Sequence, residues 1–171
     1  FRYALVRASR LTGRVLVCVM TSSQAGADAE SAMNRFAEAL RRDCPEVAGV
    51  YWGITDKLAD VAVPEELRHL EGEAFLEEQV GPFRVQLHPL SFLQPTLPQA
   101  ERMYRDVAEC FSDGAGTGGV AWDLYCGMGL IALHLAGRFK RVWGIEVSLH
   151  NVELARRHAA ANGVSNVEFL A

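Results

Sequence analysis

The sequence predicts an α/β protein. A small α/β layer is expected over residues 1–90, and residues 91–171 are expected to hold the first strand–helix units of a parallel sheet wound on both faces. Three observations carry this reading. Val120 to Trp122 leads through Asp123 into Gly127 and Gly129 and then into a helix-period pattern, so a strand passes through a tight glycine turn into a helix. A second apolar strand, Arg141 to Ile145, ends in Glu146, and a third begins at Asn166, which repeats the unit. The N-terminal half instead shows short apolar strands around one amphipathic helix.

Taken in order, Arg2 to Ala8 and Arg14 to Met20 read as strands joined around Leu11 to Gly13. The run VLVCVM is apolar throughout and is expected to be buried on both faces. Asp28 is placed to cap a helix running to about Arg42, with Met33, Phe36, Ala37 and Leu40 at helical spacing and Pro45 as its stop. Val47 to Ile54 returns as a strand. Leu67 to Leu70 and Phe75 to Val80 are shorter strand candidates, and Glu73, Glu77 and Glu78 are expected on a solvated face. Phe83 to Leu87 alternates as a strand until His88-Pro89 breaks it. After a constrained loop at Ser91 to Pro95, Thr96 and Gln99 form a capping box, with Pro98 in the first helical turn. That helix is expected to bury Met103, Val107, Cys110 and Phe111 along one stripe. It should end at Asp113-Gly114, with Gly114 to Gly119 as a flexible link. Beyond the glycine turn, Ile131 and Leu135 lie in a first crossover helix closed by Gly137. Ser148 caps a second helix that turns Val152, Ala155 and Ala159 inward, and Asn162-Gly163 is its left-handed stop.

Half of the 171 residues are hydrophobic, enough for a substantial core, and no apolar run reaches membrane-spanning length. No signal peptide opens the chain, and the absence of an initiator Met before Phe1 suggests that it begins inside a longer protein. A formal charge of −4 gives no whole-chain support for nucleic-acid binding, so an RNA contact needs a local patch or a basic module elsewhere. The spacing of Cys18, Cys44, Cys110 and Cys126 matches no zinc or iron–sulfur pattern. Cys18 and Cys110 read as core fillers, and the cysteine usage suits a reducing cytoplasm. His69 and His88 lack a second ligand nearby in sequence, so no metal site is expected.

The chemistry concentrates around the glycine turn. Gly127 and Gly129 let the backbone turn sharply and approach a ligand, and the small Ala132 lets helix and strand pack. Glu146 follows Asp123 at about the 20-residue interval at which an acid meets a ribose diol, which marks a nucleoside-cofactor site. A dinucleotide is one candidate and S-adenosylmethionine the other. Two details favour the second: Asp123 ends the strand where a cationic amino-acid tail can meet it, and the helix lacks the third glycine that serves a pyrophosphate. Read singly, Asp123 is also a turn residue and Glu146 an exposed strand-end charge.

The segments DLYCGMGLIALHLA, GIEVS and NGVSNVEF, with the upstream LHPLSFLQPT, resemble the RNA uracil-5 methyltransferase family. The resemblance runs from about Leu5 to the end; it is specific at DLYCG and SFLQ and loose before Gly49. It implies a small central α/β domain followed by the first half of a Rossmann-like class I methyltransferase domain. It also implies S-adenosylmethionine as cofactor, with Gln94, Tyr125 and Glu146 in contact with it, and tRNA or 23S ribosomal RNA as substrate. Leu130 departs from the polar or small residue that the family often has there, which removes a side-chain contact. The family's covalent route uses a Cys thiolate that adds to uracil C6 and a base that removes the C5 proton. The resemblance places both, and a further cofactor-binding Asp, beyond Ala171. Cys126 is not expected to act as that nucleophile, because it occupies the turn beside Asp123, which raises a thiol pKa. A methyltransferase for another substrate and a non-catalytic RNA-binding fragment are the alternative functions. The family topology also places a further strand beside Val120 to Tyr125. Without it, that strand has an unpaired side, and either self-association or a disordered C-terminal third is expected.

Overall fold

The computed structural model describes all residues except 25, 27, 58–62 and 112–117. The link expected at residues 114–119 therefore lies largely outside the described residues, and the helix before it ends at Glu109, ahead of the expected stop at Asp113-Gly114. The chain divides into two compact units, one formed by Phe1–Glu78 and Gln86–Leu90, the other by Gln79–Val85 and Ser91–Ala171.

In the first unit, β1 (Tyr3–Ala8), β2 (Val15–Thr21), β3 (Val47–Ile54) and β4 (Glu66–Gly72) form one sheet in that order. β1 and β4 run antiparallel to their neighbours, whereas β2 and β3 are parallel because helix α1 (Ala29–Asp43) crosses between them. Ala37, Val47 and Val50 form the core under the helix, joined by Val15, Val17, Leu40 and Leu70. Leu16, Cys18 and Met20 alternate with Val17 and Val19 and are fully buried on the other face. Phe36 stays exposed despite its helical spacing, and Asp28 occupies the N-cap without a side-chain bond.

The acidic cluster corrects an expectation. In strand β5 (Leu76–Val80) the two-residue period turns Glu78 inward with Leu76 and Val80, leaving it 1% exposed. Its carboxylate accepts hydrogen bonds from the Arg10 amide at 2.7 Å and the Leu11 amide at 3.2 Å, satisfying donors in the turn between β1 and β2. Glu73 pairs with Arg14. β5 and β6 (Phe83–Leu87) make a two-stranded sheet.

In the second unit, β7 (Val120–Leu124), β8 (Arg141–Ile145) and β9 (Val167–Leu170) are parallel in the order β7-β8-β9. Helices α3 (Leu130–Leu135) and α4 (Leu149–Ala161) connect them. Ala132, Leu133, Val142, Val152, Ala155 and Phe169 belong to one core cluster between helices and sheet. The opposite face leaves Val120, Trp122 and Leu124 at 55%, 60% and 62% exposure, with Trp122 stacked on Trp143 at 5.8 Å. β7 has no strand partner on its other side among the described residues.

Helix α2 (Leu97–Glu109) also differs from expectation. It buries Leu97, Ala100, Tyr104 and Ala108, while Met103, Cys110 and Phe111 are exposed and Val107 is partly buried. Both sets repeat at helical spacing, and the helix packs on α3 through the first, with Tyr104 against His134 at 5.2 Å. Thr96 is the N-cap residue but makes no side-chain cap bond, so the capping box does not form; Pro98 does occupy the first turn. Ser148 caps α4 by accepting from the Asn151 amide.

Candidate functional site

The turn between β7 and α3 is shaped by three left-handed residues. Tyr125 has φ +59° and is the only non-glycine residue with positive φ among those described; Gly127 and Gly129 have φ +55° and +84°. A left-handed tyrosine costs roughly 1–2 kcal/mol, a strain that clusters at functional sites. Its side chain is 87% exposed.

The two glycines of the turn serve different needs. A Cβ on Gly127 would meet nothing within 4 Å, so this position faces open space and needs glycine for its backbone angle. A Cβ on Gly129 would lie 2.7 Å from the Phe169 ring and 2.9 Å from Ala155, so here glycine also allows the turn to sit on β9 and α4. Gly144, inside β8, is required for the same reason: its Cβ would collide with the Phe169 ring and lie 2.9 Å from Cys126 Sγ.

Glu146 follows directly on β8 and is buried. Oε2 accepts from the Gly127 amide at 3.0 Å and Oε1 from the Ser148 amide at 2.9 Å. The carboxylate thus ties the glycine turn to the start of α4. Asp123, the last inward residue of β7, is buried and accepts from the Ala132 amide at 2.9 Å through Oδ2. Burial pushes its carboxyl up to about 6, with the Ala132 bond acting the other way. Ala132 is fully buried, so the third small residue of the turn motif both packs and donates.

Burial pushes the Cys126 thiol up to about 12, and the carboxylates of Asp123 and Glu146 act in the same direction. Its amide donates to the Ile145 carbonyl at 3.0 Å, which is a turn role. Gln94 lies ahead of α2 and lines a recess with Pro95, Thr96, Gln99, Ala100 and Met103, a set that contains none of the turn residues. Asp123, Tyr125, Gly127, Gly129 and Glu146 are thus brought together around one turn. Among the described residues, no group of three or more His, Cys, Asp or Glu is placed to hold a metal ion.

Residues 75–171, more than half of the chain, match the family model described as tRNA (Uracil-5-)-methyltransferase. The chain belongs to this family. A relative described as an uncharacterized RNA methyltransferase of Nitratidesulfovibrio vulgaris is 34% identical over 173 residues, covering 100% of this chain and 36% of the relative. Another from Nanoarchaeum equitans, NEQ053, is 37% identical over 125 residues, 73% of this chain and 27% of that protein. The chain therefore spans about a third of the length of the curated relatives it matches. Among solved structures, the tRNA (uracil-54, C5)-methyltransferase of Pyrococcus abyssi in complex with S-adenosyl-L-homocysteine aligns with a TM-score of 0.71 at 25% identity. That alignment covers 98% of this chain and 38% of that one. The M. jannaschii tRNA m1G37 methyltransferase shares the fold, with a TM-score of 0.52 at 18% identity over 91% of this chain and 44% of that one.

For this member of the tRNA (uracil-5-)-methyltransferase family, sequence reasoning missed Gly144, His158 and Phe169, which form the underside of the turn. A signal existed for two of them. Gly144 interrupts an apolar strand, which marks close backbone approach, and His158 stands at the inward spacing of Ala155 and Ala159.

Proposed function

We propose that this chain is the cofactor-binding part of an S-adenosylmethionine-dependent enzyme that methylates C5 of a uridine in tRNA or 23S ribosomal RNA. The observation that carries the reading is Glu146, a buried carboxylate fixed against the open backbone of Gly127. Each of its oxygens accepts one backbone amide, and a carboxylate offers about four lone-pair sites, so each oxygen retains capacity for one ribose hydroxyl. Two carboxylates around the turn, Asp123 and Glu146, suit a cationic cofactor and oppose a pyrophosphate.

When bound, S-adenosylmethionine supplies a methyl group made electrophilic by its sulfonium. In this reading Glu146 holds the ribose and the glycine turn admits the cofactor close to the backbone. Asp123 favours the amino-acid end, because a nearby ammonium stabilises a carboxylate that burial otherwise disfavours. Gln94 and Tyr125 are carried over from the family resemblance as cofactor contacts. The same resemblance assigns the nucleophilic thiol and the base to sequence beyond Ala171, consistent with a Cys126 thiol that stays protonated. The exposed apolar face and free side of β7 favour self-association of the 171-residue chain.

The test is radiolabelled methyl transfer to tRNA and ribosomal RNA transcripts, followed by nucleoside analysis. The full-length protein is expected to place label on uridine C5, and the 171-residue chain is expected to transfer none. Label on another base would overturn the uridine assignment. Turnover by the short chain that disappears in Cys126→Ser would restore Cys126 as the nucleophile.

A further inference from the structure

His158 is the buried polar side chain of α4 that meets the glycine turn. It is 1% exposed, and its Nδ1 lies 3.0 Å from the carbonyl oxygen of Met128. A carbonyl only accepts, so Nδ1 carries the proton and donates. Met128 stands between the two left-handed glycines, and the peptide it shares with Gly129 is gripped at both ends: the Gly129 amide donates to the Cys126 carbonyl at 2.9 Å.

This matters because a peptide flanked by glycine has a second orientation. Rotating the Met128–Gly129 peptide by half a turn needs only the ψ of Met128 and the φ of Gly129 to change, and glycine accepts φ of either sign. The flipped form breaks both bonds and turns the Met128 oxygen away from the buried side of the loop. The Phe169 ring and Ala155 fill the space beneath Gly129, so packing holds the α-carbon in place in either form. The orientation is selected by the two hydrogen bonds, of which the one from His158 is the only one made by a side chain.

We propose that His158 is a positioning residue of the cofactor site: its Nδ1–H bond to the Met128 carbonyl holds the Met128–Gly129 peptide of the glycine turn in the orientation that keeps the Met128 oxygen on the buried side and leaves the outer surface of the turn, at Gly127, open to the cofactor. The inference rests on the cofactor reading given above. It touches no reacting atom and acts through the turn.

The experiment compares the full-length wild type with His158→Leu and His158→Asn by titration calorimetry with S-adenosylhomocysteine, alongside thermal unfolding. His158→Leu keeps an apolar side chain in the buried position and loses the donor, and is expected to weaken binding roughly 5- to 30-fold. Asn carries an amide N–H at the same distance along the side chain as Nδ1, so His158→Asn is expected to bind within about threefold of wild type. Wild-type affinity in His158→Leu would overturn the assignment, as would an equal loss in His158→Asn. If His158→Leu does not fold, His158→Asn and the imidazole ¹⁵N spectrum of the wild type decide: a proton on Nδ1 at neutral pH supports the bond, and one on Nε2 alone overturns it. Failure of the cofactor reading looks different, with no binding by the wild type while Nδ1 is still protonated, and it removes this inference too.

Discussion

Replacing Glu146 with alanine separates the fold from the cofactor site by magnitude. The side chain accepts 3.0 Å and 2.9 Å hydrogen bonds from the amides of Gly127 and Ser148. Both donors are only partly buried, so water takes over part of what the carboxylate gives, and Glu146→Ala is expected to cost about 1–2 kcal/mol of folding stability. Binding carries a second loss. If two ribose hydroxyls donate to the carboxylate, their removal costs roughly 1.5–3 kcal/mol, on the order of 10- to 100-fold in affinity. Titration calorimetry of the full-length protein with S-adenosylhomocysteine measures this, with thermal unfolding run beside it. Glu146→Gln is the companion variant: it keeps the volume and one acceptor oxygen but turns an NH₂ group toward one of the two amides, so its affinity should fall between wild type and Glu146→Ala. An unchanged dissociation constant in Glu146→Ala would remove Glu146 from the site, whatever happens to the melting temperature.

Asp123 makes a prediction about pH. Burial raises its folded pKa to about 6, so the stability linked to its protonated form is present below the unfolded value and is lost as pH rises through about 6. Asp123→Asn removes that ionisation and should stabilise the protein by about 1–2 kcal/mol above pH 7 while changing little near pH 4; equal effects at both ends of a thermal-unfolding series would refute it. The 171-residue chain should self-associate through the open side of β7 and its apolar face, where Trp122 is 60% exposed. Light scattering across a concentration series, with hydrogen exchange on residues 120–171, checks this, and a monomer with protected amides along β7 would count against it.

The sequence by itself determined what local chemistry controls. The passage from β7 through Gly127 and Gly129 into α3 needs only an apolar strand, positive-φ residues and a helix period, all within a short stretch. The recurrence of that unit at β8 and α4 and the interval from Asp123 to Glu146 were legible for the same reason. The tertiary structure decided whatever depends on a partner far along the chain. Glu78 looked like a surface charge because its two donors, Arg10 and Leu11, lie 68 and 67 residues away. α2 offers two apolar stripes of equal period, and only the packing of α3 selects the one with Tyr104. His158 reads as a histidine on a small-residue stripe until the fold brings it against Met128, 30 residues earlier. Helical and strand periods specify which residues share a face; they carry no information about what that face will meet.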